Sequence, residues 1–436
     1  MNNAIFTFPK PSNEPVQGYK PGSVERKAIR QAMDKLLAEV TEIPIIIGGK
    51  EIRTGNMGDV VMPTDHKHVL ARYHKVSEKE VQMAIDAAMT AHKQWAETPW
   101  IDRASVMMKI AALLAGKYRY EMNAATMLGQ AKTTMQAEID SACEAIDFFK
   151  FNVHYASQIY ADQPISDNGI LNRVEYRPLE GFVFAITPFN FTSIASNLCM
   201  SPVLMGNTCI WKPSTTSLLS NYVLMKIYKE AGLPDGVVNF LPGSGATIGK
   251  VAFASPHLAG VHFTGSTKTF NSFWKTIGDN IANYSTYPKI VGETGGKDFI
   301  FAHNSSCPKA VATAIVRGAF EFQGQKCSAA SRAYIPASMW NEVKEHIGNM
   351  LAEIKVGDVR DFSAFVNAVI DEASFDNCMN YINHAKESPD AEIVFGGTGD
   401  KSVGYFVQPT VILAHKPDYK SMKEEIFGPI ITIYVY

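Results

Sequence analysis

The spacing of apolar residues changes character along the chain. Residues 1–75 are polar and punctuated by Pro and Gly, with one helical run near Val24–Leu37 and a strand-like run at Ile43–Ile47. From Ser77 the spacing is helical: Val81, Ile85, Ala88 and Trp95 fall on one face, and helical spacing continues through Arg103–Leu114 and Glu138–Tyr155. Residues 163–180 break this pattern, because Asp167-Asn168-Gly169 is a hairpin-turn signal between β-prone arms. After Gly181 short apolar strands alternate with helices: strands at Phe182–Thr187, Thr208–Trp211, Val237–Leu241 and Gly260–Phe263, helices at Ala195–Met205 and Leu218–Ala231. Such alternation predicts an α/β fold with a parallel, doubly wound sheet. A second α/β region is expected to start near Lys289–Val291 and to include Ala310–Phe320, Ser331–Ile335 and Trp340–Lys355.

At 436 residues the chain exceeds the usual single-domain size, so two or three domains are expected. Apolar residues make up 46% and charged residues 19%, which excludes a mostly disordered chain. A net charge of −2 removes any bulk electrostatic case for nucleic acid or anionic membrane as partner, and no run of eighteen apolar residues offers a membrane span. Six cysteines without a C-x-x-C pair argue against a metal site or a disulfide framework and for free thiols in a reducing compartment. The first twenty residues lack an apolar core and any arginine, so they resemble neither a secretory signal nor a transit peptide. The chain stops on a β-branched, aromatic run, Ile430–Tyr436, which reads as a strand and suggests C-terminal truncation.

Candidate chemistry centres on Phe320-Glu321-Phe322-Gln323-Gly324-Gln325-Lys326-Cys327-Ser328. A nucleophilic cysteine needs exposure and nearby positive or dipolar stabilisation, and Cys327 follows a polar, Gly-containing turn with Lys326 beside it. By itself such a cysteine is more often a buried small hydrophobe. Upstream, Glu293 lies in Gly292-Glu293-Thr294-Gly295-Gly296-Lys297, a carboxylate in a Gly-rich turn suited to act as base. Gly243-Ser244-Gly245 with Gly249, read as opening a helix, has the look of a phosphate loop but is one residue longer than the dinucleotide fingerprint. Thr264-Gly265-Ser266-Thr267 sits where helix N-terminal N–H groups meet a pyrophosphate. Lys212 and Asn190 each follow a strand, where a solvated charge and a turn cap are the ordinary readings. Glu425 and Phe427 precede the last strand, otherwise a charged loop before a Gly-Pro turn.

Together PFNF, WKPS, FTGS, GETGGK, FQGQKCS and EEIFGP occur in the order seen in the aldehyde dehydrogenase superfamily. Segments such as Gln136–Asp140, Ile146–Phe149, Leu179–Phe182 and Gly404–Val407 resemble its branch acting on glutamate semialdehyde. The resemblance implies the aldehyde dehydrogenase fold: a Rossmann-like NAD-binding domain over residues 1–288 with an oligomerisation hairpin at 160–180, and a catalytic domain over 289–436. It implies Cys327 as nucleophile, Asn190 as oxyanion donor and Glu293 as activator of water. It assigns Lys212 to the adenosine ribose and Gly265, Ser266, Thr267, Lys268 and Thr269 to the pyrophosphate turn. Thr187 lies along the same groove, Glu425 goes to the nicotinamide ribose and Phe427 packs beside it. Phe191, Ser328 and Glu144 are expected around the substrate. NAD is the expected cofactor, although Thr215, where many NAD-using relatives carry a carboxylate, cannot repel a 2′-phosphate. The implied reaction is oxidation of L-glutamate 5-semialdehyde to L-glutamate in proline degradation, by a cytoplasmic or mitochondrial-matrix homodimer or higher homo-oligomer. Another semialdehyde substrate, or a non-catalytic relative, is the alternative.

Overall fold

The computed structural model describes Phe8 and residues 10–436, so part of the N-terminal stretch read above for targeting signals lies outside the described residues. Among the described residues no helix is long and apolar enough to cross a membrane. The described residues form two compact units: those up to 60, with 70–126 and 137–293, make the first, and residues 61–69, 127–136 and 294–436 the second.

The first unit is built on a seven-stranded sheet. Its order is Lys289–Glu293, Leu258–Thr264, Phe182–Ile186, Thr208–Lys212, Val238–Phe240, Ile45–Ile47 and Lys50–Ile52. The first five strands run parallel and the last two form an antiparallel hairpin at the edge. Phe182–Ala185 is buried throughout, as expected for a strand covered on both faces. Helix Glu78–Glu97 starts with a capping box between Ser77 and Glu80, and Val81, Ile85, Ala88 and Trp95 are all buried as their spacing predicts. Chain order reverses between Phe182–Ile186 and Leu258–Thr264, which makes their carboxyl ends the ligand-binding switch point of a doubly wound sheet.

Several sequence expectations need correction. The run Ile43–Ile47 is two strands, Thr41–Ile43 and Ile45–Ile47, in different sheets, because Pro44 has no N–H to give a ladder. Lys289–Glu293 does not open a second region; it is the parallel edge of the first sheet, with Glu293 paired to Thr264. Gly249 does not open a helix but lies inside Gly245–Ala254, packed on the Phe253 ring. The turn at Asp167–Ile170 forms, with Gly169 at φ 76°, but its arms make only that single bridge. Side chains join the arms instead: Gln163 bonds both backbone groups of Val174, and Tyr176 donates to Asp162 O at 2.8 Å. An isolated two-stranded ribbon has too little packing to order a regular ladder.

The second unit has a five-stranded sheet in the order Phe299–Phe301, Arg332–Ile335, Ile430–Val435, Thr410–Ala414, Ala391–Phe395, parallel except for the last strand. Alternation decides what covers each face. Ala333, Ile335, Val411, Ile431 and Ile433 pack under helices Pro308–Phe320 and Ala337–Glu353, while Ile412 and Ile430 pack under Glu372–Glu387.

Candidate active site

At the switch point, Thr187 is 3% exposed. Its N–H donates to Lys212 O (3.1 Å) and its hydroxyl accepts the Trp211 indole N–H (2.9 Å), joining the two strand ends. Asn190, also buried, lies two residues before helix Thr192–Leu204, with Phe191 as its N-cap. A buried hydroxyl ladder sets this helix start: Thr192 lies 3.0 Å from Thr126 Oγ1 and donates to Ser220 Oγ at 3.1 Å. Ser193 donates to the Glu144 carboxylate at 2.6 Å, so the structure brings Glu144 onto the turn that follows Asn190 and Phe191.

Glu144 begins helix Glu144–Ala161 directly after a π-helix, Glu138–Cys143. Such widened turns often mark functional positions. Here the turn is anchored by Glu138, fully buried, which accepts Gln17 N–H (2.8 Å), Tyr19 O–H (2.7 Å), Asn123 Nδ2–H (2.7 Å) and the Arg119 guanidinium. Burial pushes this carboxyl up, but Arg119, Tyr19 and the Gln17 N–H outweigh it and hold it below the ordinary value. Burial and the nearby Glu138 push the Cys143 thiol up to about 12, so it is inert.

The neighbouring strand ends carry the other residues of this unit. Gly265 N–H donates to Glu293 O at 3.1 Å, and a Cβ on Gly265 would stand 2.6 Å from the Phe263 ring. Ser266 caps helix Thr267–Asp279 by accepting Thr269 N–H (3.3 Å), leaving Thr267, Lys268 and Thr269 as an exposed first turn. Lys212 ends its strand with its ammonium lowered to about 8 by burial. Glu293, at the end of the edge strand, is exposed.

In the second unit, Cys327 is a half-buried thiol at the end of an unusual path. Helix Pro308–Phe320 stops, and Phe322, Gln323 and Gly324 follow with φ of 50°, 56° and 65°. Left-handed backbone costs a non-glycine residue roughly 1–3 kcal/mol. At Gly324 a Cβ would collide with the carbonyls of Ala319 and Gly428, so only glycine fits. Gln323 is fully buried: its Nε2 donates to Ala131 O (3.0 Å) and Ala368 O (2.8 Å), and its Oε1 accepts Asn367 N–H (2.9 Å). Gln325 Oε1 accepts Ile370 N–H at 2.9 Å. Fully buried Lys132 sets its ammonium 4.2 Å from the centre of the Phe322 ring.

A small cleft beside Cys327 is lined by Gly296, Ala330, Glu425, Phe427 and Gly428, while Ser328 is exposed just beyond the turn. Glu425 Oε1 accepts Gly296 N–H at 3.2 Å, and a Cβ on Gly295 would overlap its other oxygen. Burial raises this carboxyl against the opposing pull of Gly296 N–H and Lys297. Phe427 takes φ 59°.

Residues 52–436 match the Aldehyde dehydrogenase family. The chain belongs to that family. It is 51% identical over 436 residues to a protein of Dictyostelium discoideum named delta-1-pyrroline-5-carboxylate dehydrogenase, mitochondrial, covering 99% of this chain and 78% of that one. A human protein of the same name is 44% identical over 98% of this chain and 76% of its own length. Among solved structures, the Delta-pyrroline-5-carboxylate dehydrogenase from Mycobacterium tuberculosis bound with NAD superposes with a TM-score of 0.96 at 47% identity, covering all of this chain and 80% of that one. The fold is therefore the mixed α/β fold of the aldehyde dehydrogenases.

For this aldehyde dehydrogenase, residues that reasoning from sequence named divide between the two units. Thr187, Asn190, Phe191, Lys212, Gly265–Thr269, Glu293 and Glu144 lie in the first, and Cys327, Ser328, Glu425 and Phe427 in the second. Reasoning from sequence passed over Gln323, Lys132, Ser193 and Lys297. Lys297 Nζ is buried with no hydrogen-bond partner among the described residues, and burial, with Arg332 nearby, lowers it to about 8 despite Glu425. The available signal was the Gln-Gly-Gln run just before Cys327, two amides able to tie down a turn.

Proposed function

We propose that the chain oxidises L-glutamate 5-semialdehyde to L-glutamate, using NAD, in proline degradation. The observation that carries this reading is the half-buried Cys327 on a turn tied down by buried amides, in a chain 47% identical along its whole length to an NAD-bound enzyme of that name. The Cys327 thiolate attacks the aldehyde carbon, forming a C–S bond and moving the carbonyl electrons onto oxygen. The Asn190 amide and the Cys327 N–H hold this oxyanion, a contribution of order 10²–10³-fold in rate. The chemistry supplied by NAD, when bound, is acceptance of hydride from the substrate carbon, which leaves a thioester on Cys327. Glu293 then takes a proton from water as the water oxygen attacks the thioester, the C–S bond breaks, and the thiolate is restored.

The residues present suit NAD. Lys212 offers a donor at a strand end, Gly265 and Ser266 lead into free helix N–H groups for a pyrophosphate, and Glu425 offers an acceptor for ribose hydroxyls. We assign the first unit, which runs on through the edge strand to Glu293, to cofactor binding, the second unit to catalysis and the exposed 160–180 flap to homo-oligomer assembly. Phe191, Ser328 and Glu144 line the substrate side. The names of the Dictyostelium and human relatives support a mitochondrial over a cytoplasmic location.

NADH formation with glutamate semialdehyde and with simple aldehydes tests this reading. Cys327→Ala should lose turnover, and Glu293→Ala should keep a burst of about one NADH per site with slow deacylation, about 10²–10⁴-fold below wild type. Turnover by Cys327→Ala, or no preference for the semialdehyde in kcat/KM, would overturn it.

A further inference from the structure

Segments far apart in sequence meet on the side chain of Gln323. Its amide has two N–H donors and one acceptor oxygen, and all three functions are used, on Ala131 O, Ala368 O and Asn367 N–H. Ala131 is itself left-handed, at φ 53°, so one amide ties a strained turn at residue 131 to the strained run at residues 322–324. The next residue of the first turn, Lys132, rests its ammonium on the Phe322 ring 4.2 Å away, a second fastening between the same two segments. Gln323 is wholly buried, four residues before Cys327; Gln325 N–H donates to Phe322 O at 3.0 Å across the segment between, Gly324 is tightly enclosed, and Ala329 N–H donating to Lys326 O at 3.1 Å closes a turn around Cys327 itself. Little slack separates the amide from the thiol.

We propose that Gln323 is a positioning residue for the nucleophile: its amide, seconded by Lys132 on Phe322, holds the left-handed run that sets the direction of the Cys327 thiol. The inference rests on Cys327 being the nucleophile. No other side chain of this length carries two donors and an acceptor. Leucine supplies none of the three bonds. Glutamate keeps the acceptor when ionised and regains a single donor when protonated.

The test is single-turnover NADH formation from glutamate semialdehyde together with the rate of iodoacetamide alkylation at Cys327. Gln323→Leu should lower the burst rate constant about 10²-fold, the cost of roughly 1 Å of misplacement, with KM for NAD unchanged. In Gln323→Glu the buried carboxyl titrates above its ordinary value, so the burst rate should fall as pH rises through neutrality, unlike wild type. Melting temperature followed over the same pH range separates a lost latch from a lost fold. Should Gln323→Leu fail to fold, Gln323→Glu carries the test alone, because it has the same shape. A wild-type burst rate and pH profile in either folded variant would overturn the proposal, as would a fall in burst rate matched by an equal rise in KM for NAD. Cys327→Ala run alongside keeps the two readings apart: if it turns over, the nucleophile assignment fails, and if it is dead while the Gln323 variants are normal, only the latch fails.

Discussion

Lys212 has a charge that burial opposes, and that opposition has a pH signature. Its ammonium is lowered to about 8 from the usual lysine value of 10.5. Between those values the unfolded chain binds the proton and the folded chain does not, so stability rises with pH across that window and the burial penalty is paid in full below it. Lys212→Met should therefore unfold at a higher temperature than wild type at neutral pH, with the advantage shrinking at alkaline pH. Cofactor binding runs the other way, because a donor for ribose or phosphate is needed. KM for NAD should climb as pH rises through about 8 in wild type, and stay high and flat in Lys212→Met. Lys297 titrates in the same range, so Lys297→Met serves as the control that keeps the Lys212 limb. An unchanged KM limb in Lys212→Met would rule out a cofactor role. Lys212, Cys327 and Glu293 could be named as candidates from the sequence because each stands in a short motif of the aldehyde dehydrogenases, at a strand end or a glycine-marked turn. Gln323 and Lys132 could not, because their meaning lies in partners such as Ala131, 192 positions away from Gln323.

Most helices and strands fall where apolar spacing puts them, since burial of one face decides them. The π-helix at Glu138–Cys143 does not follow from spacing; an ordinary helix was expected through this stretch. The extra residue in its turn is held by tertiary partners, Tyr19 and Gln17 at the N-terminal end and Arg119 on another helix. Glu138 and Arg119 are both essentially inaccessible, and removing one partner of a buried pair leaves the other charge uncompensated. Arg119→Met should cost about 3–5 kcal/mol in urea unfolding. The wild-type Glu138 carboxyl is held below its ordinary value of 4.5, so its contribution is complete above that pH and is lost as pH falls through the folded value. In Arg119→Met burial dominates, the carboxyl is raised, and the deficit should narrow as pH is lowered. A constant deficit across pH would mean that the guanidinium packs rather than pairs. Because Glu144 follows this turn directly and takes the Ser193 hydroxyl, the same variant should raise KM for the semialdehyde more than KM for NAD.

At the scale of the whole molecule, alternating strands and helices made the doubly wound sheet legible, whereas its strand order is set by pairings that no local pattern carries. The flap at residues 163–180 shows the limit most clearly. Its turn signal was correct, yet the arms carry apolar side chains to no partner surface within their own unit: Ile165 is 92% exposed, Leu171 78% and Ile170 59%. Exposed apolar residues on a ribbon this thin cost solubility unless another chain covers them. A second copy is the occupant consistent with the proposed homo-oligomer, since each copy both offers a flap and needs one covered. Ile165→Asp combined with Leu171→Asp should shift the protein to the monomer in sedimentation velocity, with the melting temperature followed alongside to separate lost assembly from a lost fold. Each buried aliphatic side chain contributes about 1.5–3 kcal/mol when desolvated, so two placed at a symmetric contact act four times per dimer, enough to move the association constant by several orders of magnitude. A double variant that remains oligomeric at micromolar concentration would remove the flap from the assembly and leave its apolar residues without an assigned role.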